Sequence, residues 1–251
     1  METITKTTKH FEFTGETKKI GIGITLHRIR ATVETVYARI GDIGGWVEKP
    51  DNLYDNAWVS DDALVFDGAH VSGNAHVSGN AQVSDNAHVY GHAHVSGNAQ
   101  VSGNARVYGF SKVSGEAKVF GDARVDGKSC ISDNARVSGN ARVSSNAFLS
   151  GEAFLSGNAF MFGEAFISGD ARVSSNNDHC GFDSFGLDSI HTHAYRTTNG
   201  IEITYDGLHG SLRVSLEEFA AKIKETYCDS EYEKQYELII RLIKLKFNLP
   251  D

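Results

Sequence analysis

The sequence predicts a mainly β protein whose central part is a stack of very short strands, and three observations support this prediction. An aliphatic residue recurs at every sixth position from Leu53 to Val173, which gives 21 hexads without an insertion. Two positions before each aliphatic residue, from Val59 onward, stands Ala, with Ser111 and Ser129 as the only exceptions. Gly reaches 26 residues while Pro falls to 2, which fits many tight turns between short strands better than flexible linkers.

Each hexad combines a short strand with a corner. Residues of a strand alternate between its two sides, so the Ala and the aliphatic residue share one side and the flanking residues the other. Pairs such as Gly-Asn, Asp-Asn and Gly-Glu follow and tolerate turn conformations. Three hexads then close one triangular coil, whose narrow interior explains the Ala. The 21 hexads give seven coils, a parallel β-helix about 34 Å tall at about 4.8 Å per coil.

Residues 18 positions apart stack on one face of this prism, so the outward residues before the aliphatic positions form three ladders. The first face carries His70, His88, Arg106, Arg124, Arg142 and Phe160. The second face carries Trp58, His76, His94, Lys112, Cys130, Phe148 and Phe166. The third face carries Leu64, Gln82, Gln100, Lys118, Arg136, Phe154 and Arg172. Along the prism, a band of His and Gln therefore gives way to cations and then to Phe.

The segments on either side of the hexads are expected to cap the prism, because an open end exposes unpaired backbone groups. We expect an N-terminal β cap in residues 1–52, a hexapeptide-repeat β-helix in residues 53–176 and a C-terminal α+β module in residues 177–251. In the first segment, residues 11–13 are expected to form a hairpin with residues 20–24. A further strand should follow, and Trp46 is well placed to plug the first coil.

The C-terminal module should contain a hairpin and two helices. Residues 191–197 and 200–205 form the hairpin, and Ser-x-x-Glu capping boxes at residues 215–218 and 230–233 open the helices. The apolar residues at helical spacing are Leu216, Phe219, Ile223 and Tyr227 in the first helix and Tyr236, Ile239, Ile240, Ile243 and Phe247 in the second. We expect this module to pack against the Phe band of the prism or against a neighbouring chain.

The repeat, which reads V-S-G-N-A-H, resembles the hexapeptide-repeat left-handed parallel β-helix, and the left-handed sense is implied by this resemblance. The segment GDIGGWVEKPDNLYDNAWVSDDALV, followed by V-S-G-N-A repeats and a C-terminal strand-helix-helix, resembles a bacterial and phage group of hexapeptide-repeat proteins. This resemblance covers nearly the whole chain, and GGWV is its most specific part. It supplies no catalytic residue that can be transferred to this sequence.

Charge and cysteine content limit the partners and the compartment. Lys and Arg total 24 against 32 Asp and Glu, a net charge of -8, so generic binding to nucleic acid or to an anionic membrane is not expected. The start, METITKTTKH, lacks the apolar core of a signal peptide. Three widely spaced cysteines, Cys130, Cys180 and Cys228, favour reduced thiols. We therefore expect a cytoplasmic protein.

Catalysis and metal binding are the weaker hypotheses. Acyl transfer is the commonest activity among hexapeptide-repeat proteins, which are generally trimers, but those enzymes usually carry a loop that interrupts the coils and a His that acts as general base. No loop interrupts these hexads, and the candidate bases stand in repeated polar positions: His70, His76, His88 and His94. Two groups are candidate metal ligands. The spacing of His88, His92 and His94 does not reproduce the motif of the γ-class carbonic anhydrases, which have a similar fold, and the spacing of His179, Cys180, His191 and His193 is irregular. We predict no catalytic residue, no metal and no cofactor.

The cations and tyrosines of the middle coils are the candidate ligand site. Arg106, Arg124 and Arg142 stack one coil apart, and like charges on neighbouring strands are destabilising unless something compensates them. Tyr90 and Tyr108 project beside them, and Arg with Tyr suits a phosphorylated ligand that contains a ring. In a homotrimer, a neighbouring chain could close the cleft with Lys112, Lys118 and Arg136. A solvated or salt-bridged trimer seam explains the same residues.

Three functions remain open from the sequence. The first is a non-enzymatic homotrimeric binding protein that sequesters a nucleotide-like ligand or blocks a host protein, and only the resemblance implies a phage or prophage accessory factor. The second is an acyltransferase that uses acetyl-coenzyme A. The third is a structural assembly protein. The uninterrupted hexads favour the first and the third.

Overall fold

The computed structural model describes residues 9–185, 190–207 and 210–250. The chain begins with β1 (Phe11–Ile20), β2 (Ile24–Ala31), β3 (Ile43–Val47) and a 3-10 turn at Pro50–Asn52. Strands β4 to β23 have two residues each: Trp58–Val59, Leu64–Val65, His70–Val71, His76–Val77, Gln82–Val83, His88–Val89, His94–Val95, Gln100–Val101, Arg106–Val107, Lys112–Val113, Lys118–Val119, Arg124–Val125, Cys130–Ile131, Arg136–Val137, Arg142–Val143, Phe148–Leu149, Phe154–Leu155, Phe160–Met161, Phe166–Ile167 and Arg172–Val173. The last elements are β24 (His179–Phe185), β25 (Ile190–Thr197), β26 (Gly200–Gly207), β27 (Gly210–Ser215), α1 (Leu216–Tyr227) and α2 (Glu231–Phe247).

The two-residue strands form a parallel solenoid of about seven turns, which confirms the predicted coil. Strands three apart in the chain pair in register, so Arg106 lies between His88 and Arg124. The first face is the sheet β6-β9-β12-β15-β18-β21, and the second is β4-β7-β10-β13-β16-β19-β22. The third face runs from β5 through β8, β11, β14, β17 and β20 to β23 and continues through β3 into the N-terminal hairpin. All three ladders are therefore confirmed.

The interior contains the Ala and the aliphatic residue of each hexad, and the aliphatic side chains are at most 1% exposed throughout. Ser111 and Ser129 take the place of Ala and are fully buried. Their hydroxyls donate to carbonyl oxygens three residues earlier, Ser111 to Tyr108 at 2.8 Å and Ser129 to Asp126 at 2.6 Å. A small polar side chain is tolerated here because its hydrogen bond is local.

The corners demand a left-handed backbone, which explains the Gly content. Gly103 has a φ of 68°, and a Cβ added there would lie 2.8 Å from the Gly121 nitrogen in the next coil. Some corners contain Asp in the same conformation, such as Asp85 with a φ of 56°. The Asp85 carboxylate accepts the Gly103 amide at 2.9 Å, so this hydrogen bond compensates for the unfavourable conformation.

The N-terminal hairpin differs from the expected one. β1 is continuous to Ile20, and β1 and β2 pair so that Phe11 lies opposite Ala31, whereas residues 11–13 were expected to face residues 20–24. The turn lies between Ile20 and Ile24, where Gly21 has a φ of 52° and Gly23 a φ of 91°. These glycines allow the reversal at that point because they adopt positive φ without steric cost.

Trp46 does not plug the first coil. β3 joins the third face parallel to β5, which places Trp46 beside Leu64 on the outside while Val47 is fully buried in the solenoid core. The N-terminal strands cover both indoles, because Trp46 packs against Leu26 and is 7% exposed, while Trp58, on the second face, is 2% exposed. A Cβ on Gly44 would lie 2.7 Å from the Trp58 ring, so the GGWV segment needs glycine for this close approach.

The C-terminal module contains an antiparallel sheet in the order β24-β25-β26-β27 and two helices. The expected hairpin is confirmed, with Thr197 opposite Gly200, whereas β24 and β27 extend it into a four-stranded sheet that was not predicted. Both helices begin at the expected caps, because Ser215 accepts the Glu218 amide at 3.1 Å and Ser230 the Glu233 amide at 3.2 Å. Neither helix has the length and apolar character needed to cross a membrane.

The C-terminal sheet closes the last coil of the solenoid. Tyr195 is fully buried within the solenoid core, and the Arg213 guanidinium contacts the Asp170 carboxylate at 2.8 Å. The module also lies beside the Phe band on two faces, where Phe148 and Phe166 line a groove with β25 and β26 and Phe160 lines another with β24. Phe154, on the third face, lines a groove formed by solenoid residues alone. The Phe band is therefore covered only in part.

Candidate ligand-binding face

The arginine column, defined as Arg106, Arg124 and Arg142, lies on the first face. Strands β12, β15 and β18 place these three side chains in register, one coil apart, and point them outward because Val107, Val125 and Val143 fill the interior. Arg106 and Arg142 are exposed and Arg124 is half-buried. His88 precedes the column on its ladder and Phe160 follows it.

Among the side chains that the structure describes, in residues 9–182, 191–205 and 212–250, no carboxylate forms an ion pair with the arginine column. Among the corner acids that could compensate it, Asp122 accepts a hydrogen bond from the Asn104 side-chain Nδ2 at 2.9 Å, while Glu116 and Glu152 line a groove on the third face. Adjacent guanidinium groups about 5 Å apart repel each other by about 1 kcal/mol in water-like surroundings. The column is therefore a stretch of positive charge without a direct ion pair among the described side chains.

The tyrosine pair, Tyr90 and Tyr108, stands at the edge between the first and second faces. The two rings are parallel, with centroids 4.9 Å apart, which leaves no room for a third ring between them. The Tyr108 hydroxyl donates to the Asp126 carboxylate at 2.8 Å. Burial, reinforced by this hydrogen bond, raises the pKa of Tyr108 to about 12. Tyr90 has the freer hydroxyl for a ligand, because Asp126 engages that of Tyr108.

The other predicted site residues lie on different faces of the same chain. Lys112 is on the second face between His94 and Cys130. Lys118 and Arg136 are neighbours on the third face and line a groove of about 520 Å³. The structure thus brings together five of the eight predicted residues, namely the arginine column and the tyrosine pair, and places Lys112 on the second face and Lys118 and Arg136 on the third.

The His residues of the second face are covered by an N-terminal loop. The Tyr37 ring stacks on His76 at 4.4 Å, and its hydroxyl hydrogen bonds to His94 Nε2 at 3.1 Å. Ser60 Oγ hydrogen bonds to His76 Nε2 at 2.9 Å. Burial, with a smaller contribution from the charge of His94, lowers the pKa of His76 to about 4. His76 is consequently neutral at pH 7, and Tyr37 restricts access to it.

The His residues of the first face stack on one another. His70 and His88 are parallel with centroids 5.1 Å apart, and Tyr54 stacks on the other side of His70 at 5.8 Å. Burial lowers the pKa of His88, and the charges of His70 and Arg106 add to this effect. These contacts describe a packed aromatic column, which continues into the arginine column.

A second pair of His residues lies inside the C-terminal module. His179 Nδ1 and His193 Nε2 are 3.1 Å apart and share a hydrogen bond. Burial lowers the pKa of both, that of His193 to about 3, and raises the pKa of Cys180 to about 11. The two imidazoles are thus neutral partners in the packing between β24 and β25.

Sequence reasoning missed two of these features. The Tyr108 to Asp126 hydrogen bond joins residues 18 apart, so the coil length would have revealed it. The contact of Tyr37 with His94 joins residues 57 apart through a loop outside the repeat, and no periodicity signals it.

Comparison with known proteins supports the repeat architecture. A family model described as YdcK beta solenoid repeat matches residues 81–97, 99–115, 130–145 and 135–151. The matched segments include Tyr90, Arg106, Tyr108 and Arg142, whereas Arg124 lies in the stretch between them. No curated protein matches the chain. In its central coils, the chain is therefore similar to the YdcK beta solenoid repeat.

Proposed function

We propose that this chain is a non-enzymatic binding protein that holds a phosphorylated, nucleotide-like ligand on its first face. One observation carries the proposal: the arginine column stacks three cations, and no ion pair within the described ranges compensates them. Guanidinium groups bind phosphate oxygens through paired hydrogen bonds. The column spans about 10 Å, which is long enough for two or more anionic groups of one ligand.

The tyrosine pair defines where the ring of such a ligand would lie. Because Tyr90 and Tyr108 already stack on each other, the ligand ring has to stack on the outer face of Tyr90. Ser72 occupies the corresponding position one coil earlier and carries no ring of its own. A base on Tyr90 and a phosphate on Arg106 would then be on neighbouring parts of the same surface.

The proposal includes assembly as a homotrimer, in which Lys112, Lys118 and Arg136 of neighbouring chains approach the ligand. The third-face groove also contains Glu116 and Glu152, which could instead pair with the arginine column of a neighbour. In that arrangement the column would serve assembly alone. The two hypotheses therefore predict different effects of replacing Glu116 and Glu152. Replacement should disrupt the assembly if these acids pair with the arginine column of a neighbour, and should leave it intact if the column binds a ligand.

The resemblance to bacterial and phage proteins suggests a biological setting for the proposal. A phage or prophage accessory factor could sequester a nucleotide-like signal, or block a host protein, without chemistry. The acyltransferase alternative needs an accessible general base. His76 is covered by Tyr37, and His88 stacks on His70, so the environment of these two candidate bases does not favour it.

Calorimetry with a panel of nucleotides and cyclic nucleotides tests the proposal. Arg106→Ala and Arg124→Ala should each weaken binding by about 1.5–3 kcal/mol, because each removes charged hydrogen bonds to the ligand. Arg39→Ala is the matched control, since Arg39 is an exposed arginine in the N-terminal segment. Absence of heat with every phosphate ligand would contradict the proposal.

A parallel measurement separates the alternatives. Light scattering should give about three times the chain mass of 27.3 kDa. Glu116→Gln with Glu152→Gln should leave that mass unchanged if the column binds a ligand, and should dissociate the assembly if the column is a seam. If the protein releases thiol from acetyl-coenzyme A and His88→Ala abolishes this release, the acyltransferase hypothesis would replace the proposal of a binding protein.

A further inference from the structure

Helix α2 carries a second apolar face that nothing in the described ranges covers. Its buried face packs on the C-terminal sheet through Tyr236, Ile239, Ile243 and Phe247. On the opposite side, Leu238, Leu242 and Leu245 form the leucine stripe and are 59%, 51% and 75% exposed. Large aliphatic side chains in a row on one helix face are characteristic of an interaction surface.

The spacing of the leucine stripe points to a helical partner. Leu238, Leu242 and Leu245 are separated by four and then three residues, which is the d-a-d spacing of a heptad repeat. Such a stripe is narrower than the apolar face of a helix that lies in a membrane interface. A single facing helix, whose side chains fit between the leucines, matches its width.

The charges beside the leucine stripe define the chemistry of that helix. Lys234 and Arg241 lie on one flank and Lys246 on the other, and all three are exposed. In a parallel pair of identical helices, Arg241 would meet Lys246 of the second copy, because flanking positions five residues apart face each other. In an antiparallel pair, Arg241 would meet its own counterpart. Both arrangements oppose like charges, so a second copy of this chain is a poor occupant.

We propose that the leucine stripe binds an amphipathic helix of another protein, with leucine-like residues facing the stripe and acidic residues on both flanks. This surface is separate from the first face, and the inference goes beyond ligand binding there. It gives the C-terminal module a role in recruitment as well as in closing the solenoid.

The test uses the full chain and synthetic helical peptides of about 21 residues with Leu at positions a and d. One peptide carries Glu at positions e and g, and the second carries Lys there. Fluorescence anisotropy should show binding of the Glu peptide only. Leu238→Ser with Leu242→Ser should weaken this binding about tenfold or more, and Arg241→Glu with Lys246→Glu should transfer the preference to the Lys peptide.

Two matched controls isolate the stripe. Ile40→Ser removes an exposed aliphatic side chain elsewhere, and Lys222→Glu reverses an exposed charge on α1, so neither should change peptide binding. Arg106→Ala should also leave it unchanged, which distinguishes this surface from the ligand site. Equal binding of both peptides would overturn the proposal.

The other occupants give different results. Flotation with vesicles of phosphatidylserine and phosphatidylcholine that depends on Leu242 would assign the stripe to a membrane and overturn the proposal. Loss of an oligomer in the Leu238→Ser and Leu242→Ser variant, measured by light scattering, would assign it to a second copy and would also overturn it.

Discussion

Replacing the central residue of the arginine column should stabilise the ligand-free protein. Arg124 has a cationic neighbour on each side, Arg106 and Arg142, whereas Arg142 has one such neighbour and Phe160 on its other side. At about 5 Å and a water-like dielectric constant, each neighbour costs about 1 kcal/mol. Arg124→Gln should therefore raise the free energy of unfolding by about 2 kcal/mol and Arg142→Gln by about half as much. Both increases become smaller if the long arginine side chains spread apart, because a larger separation weakens their repulsion.

Urea unfolding followed by circular dichroism, at low and at high salt, measures this effect. The stabilisation should be largest at about 0.01 M salt and should vanish near 1 M, where screening acts within about 3 Å. The spreading of the side chains reduces the stabilisation of both variants. The ratio of the stabilisation by Arg124→Gln to that by Arg142→Gln therefore tests the reasoning better than either value alone. A fall in stability for Arg124→Gln, or a gain that does not depend on salt, would show that the column is already paired and would refute the reasoning.

Three further predictions concern the coil itself. Ala105→Leu should overpack the fully buried interior and lower the free energy of unfolding by about 1–3 kcal/mol. The outward change Gln82→Lys should alter it by no more than about 0.5 kcal/mol. Equal shifts in melting temperature would contradict the assignment of Ala105 to the inside and Gln82 to the outside. Gly103→Ala should cost at least about 1 kcal/mol in urea unfolding, because it forces a side chain into a φ of 68° and within 2.8 Å of the next coil, and an unchanged midpoint would argue against the corner geometry. The pKa of His76 is about 4 in the folded chain and 6.5 for a free His. Between pH 4 and pH 6.5, His76 is therefore protonated in the unfolded chain but neutral in the folded chain. Stability should fall by about 1–2 kcal/mol as the pH drops from 6.5 to 4, after allowance for partial exposure, and His76→Gln should remove that part of the pH slope.

The solenoid is predictable because one period determines every contact within it. A six-residue repeat with three strands to a coil places Arg106 beside Arg124 without further information, and the structure confirms the pairing. The N-terminal hairpin lacks such a constraint. The Phe11 segment can pair with any later apolar strand, and Gly15, Gly21 and Gly23 all adopt positive φ, so several turn positions were compatible with the sequence.

Sequence reasoning reached the position of the candidate site but not its surroundings. The arithmetic of 18 residues per coil places the arginine column and the tyrosine pair on one surface. It does not reveal that the Asp122 carboxylate accepts a hydrogen bond from the Asn104 side chain, since the side chain of a corner residue can turn toward either adjoining face. Nor does it reveal that Tyr37 covers His76, because that contact depends on how a loop outside the repeat folds back.

The solenoid separates what the fold requires from what the surface can vary. Inward positions hold one small and one aliphatic residue in every hexad, and the corners use the same left-handed backbone conformation, so the interior and the corners differ little from one coil to the next. The outward ladder of the first face changes from His to Arg to Phe on strands that make the same backbone hydrogen bonds. We expect the fold to accept uncharged residues at Arg106, Arg124 and Arg142 and to be more stable with them. We therefore expect the repulsion within the column to be offset from outside the chain, either by a bound anion, as proposed above, or by the acids of a neighbouring chain.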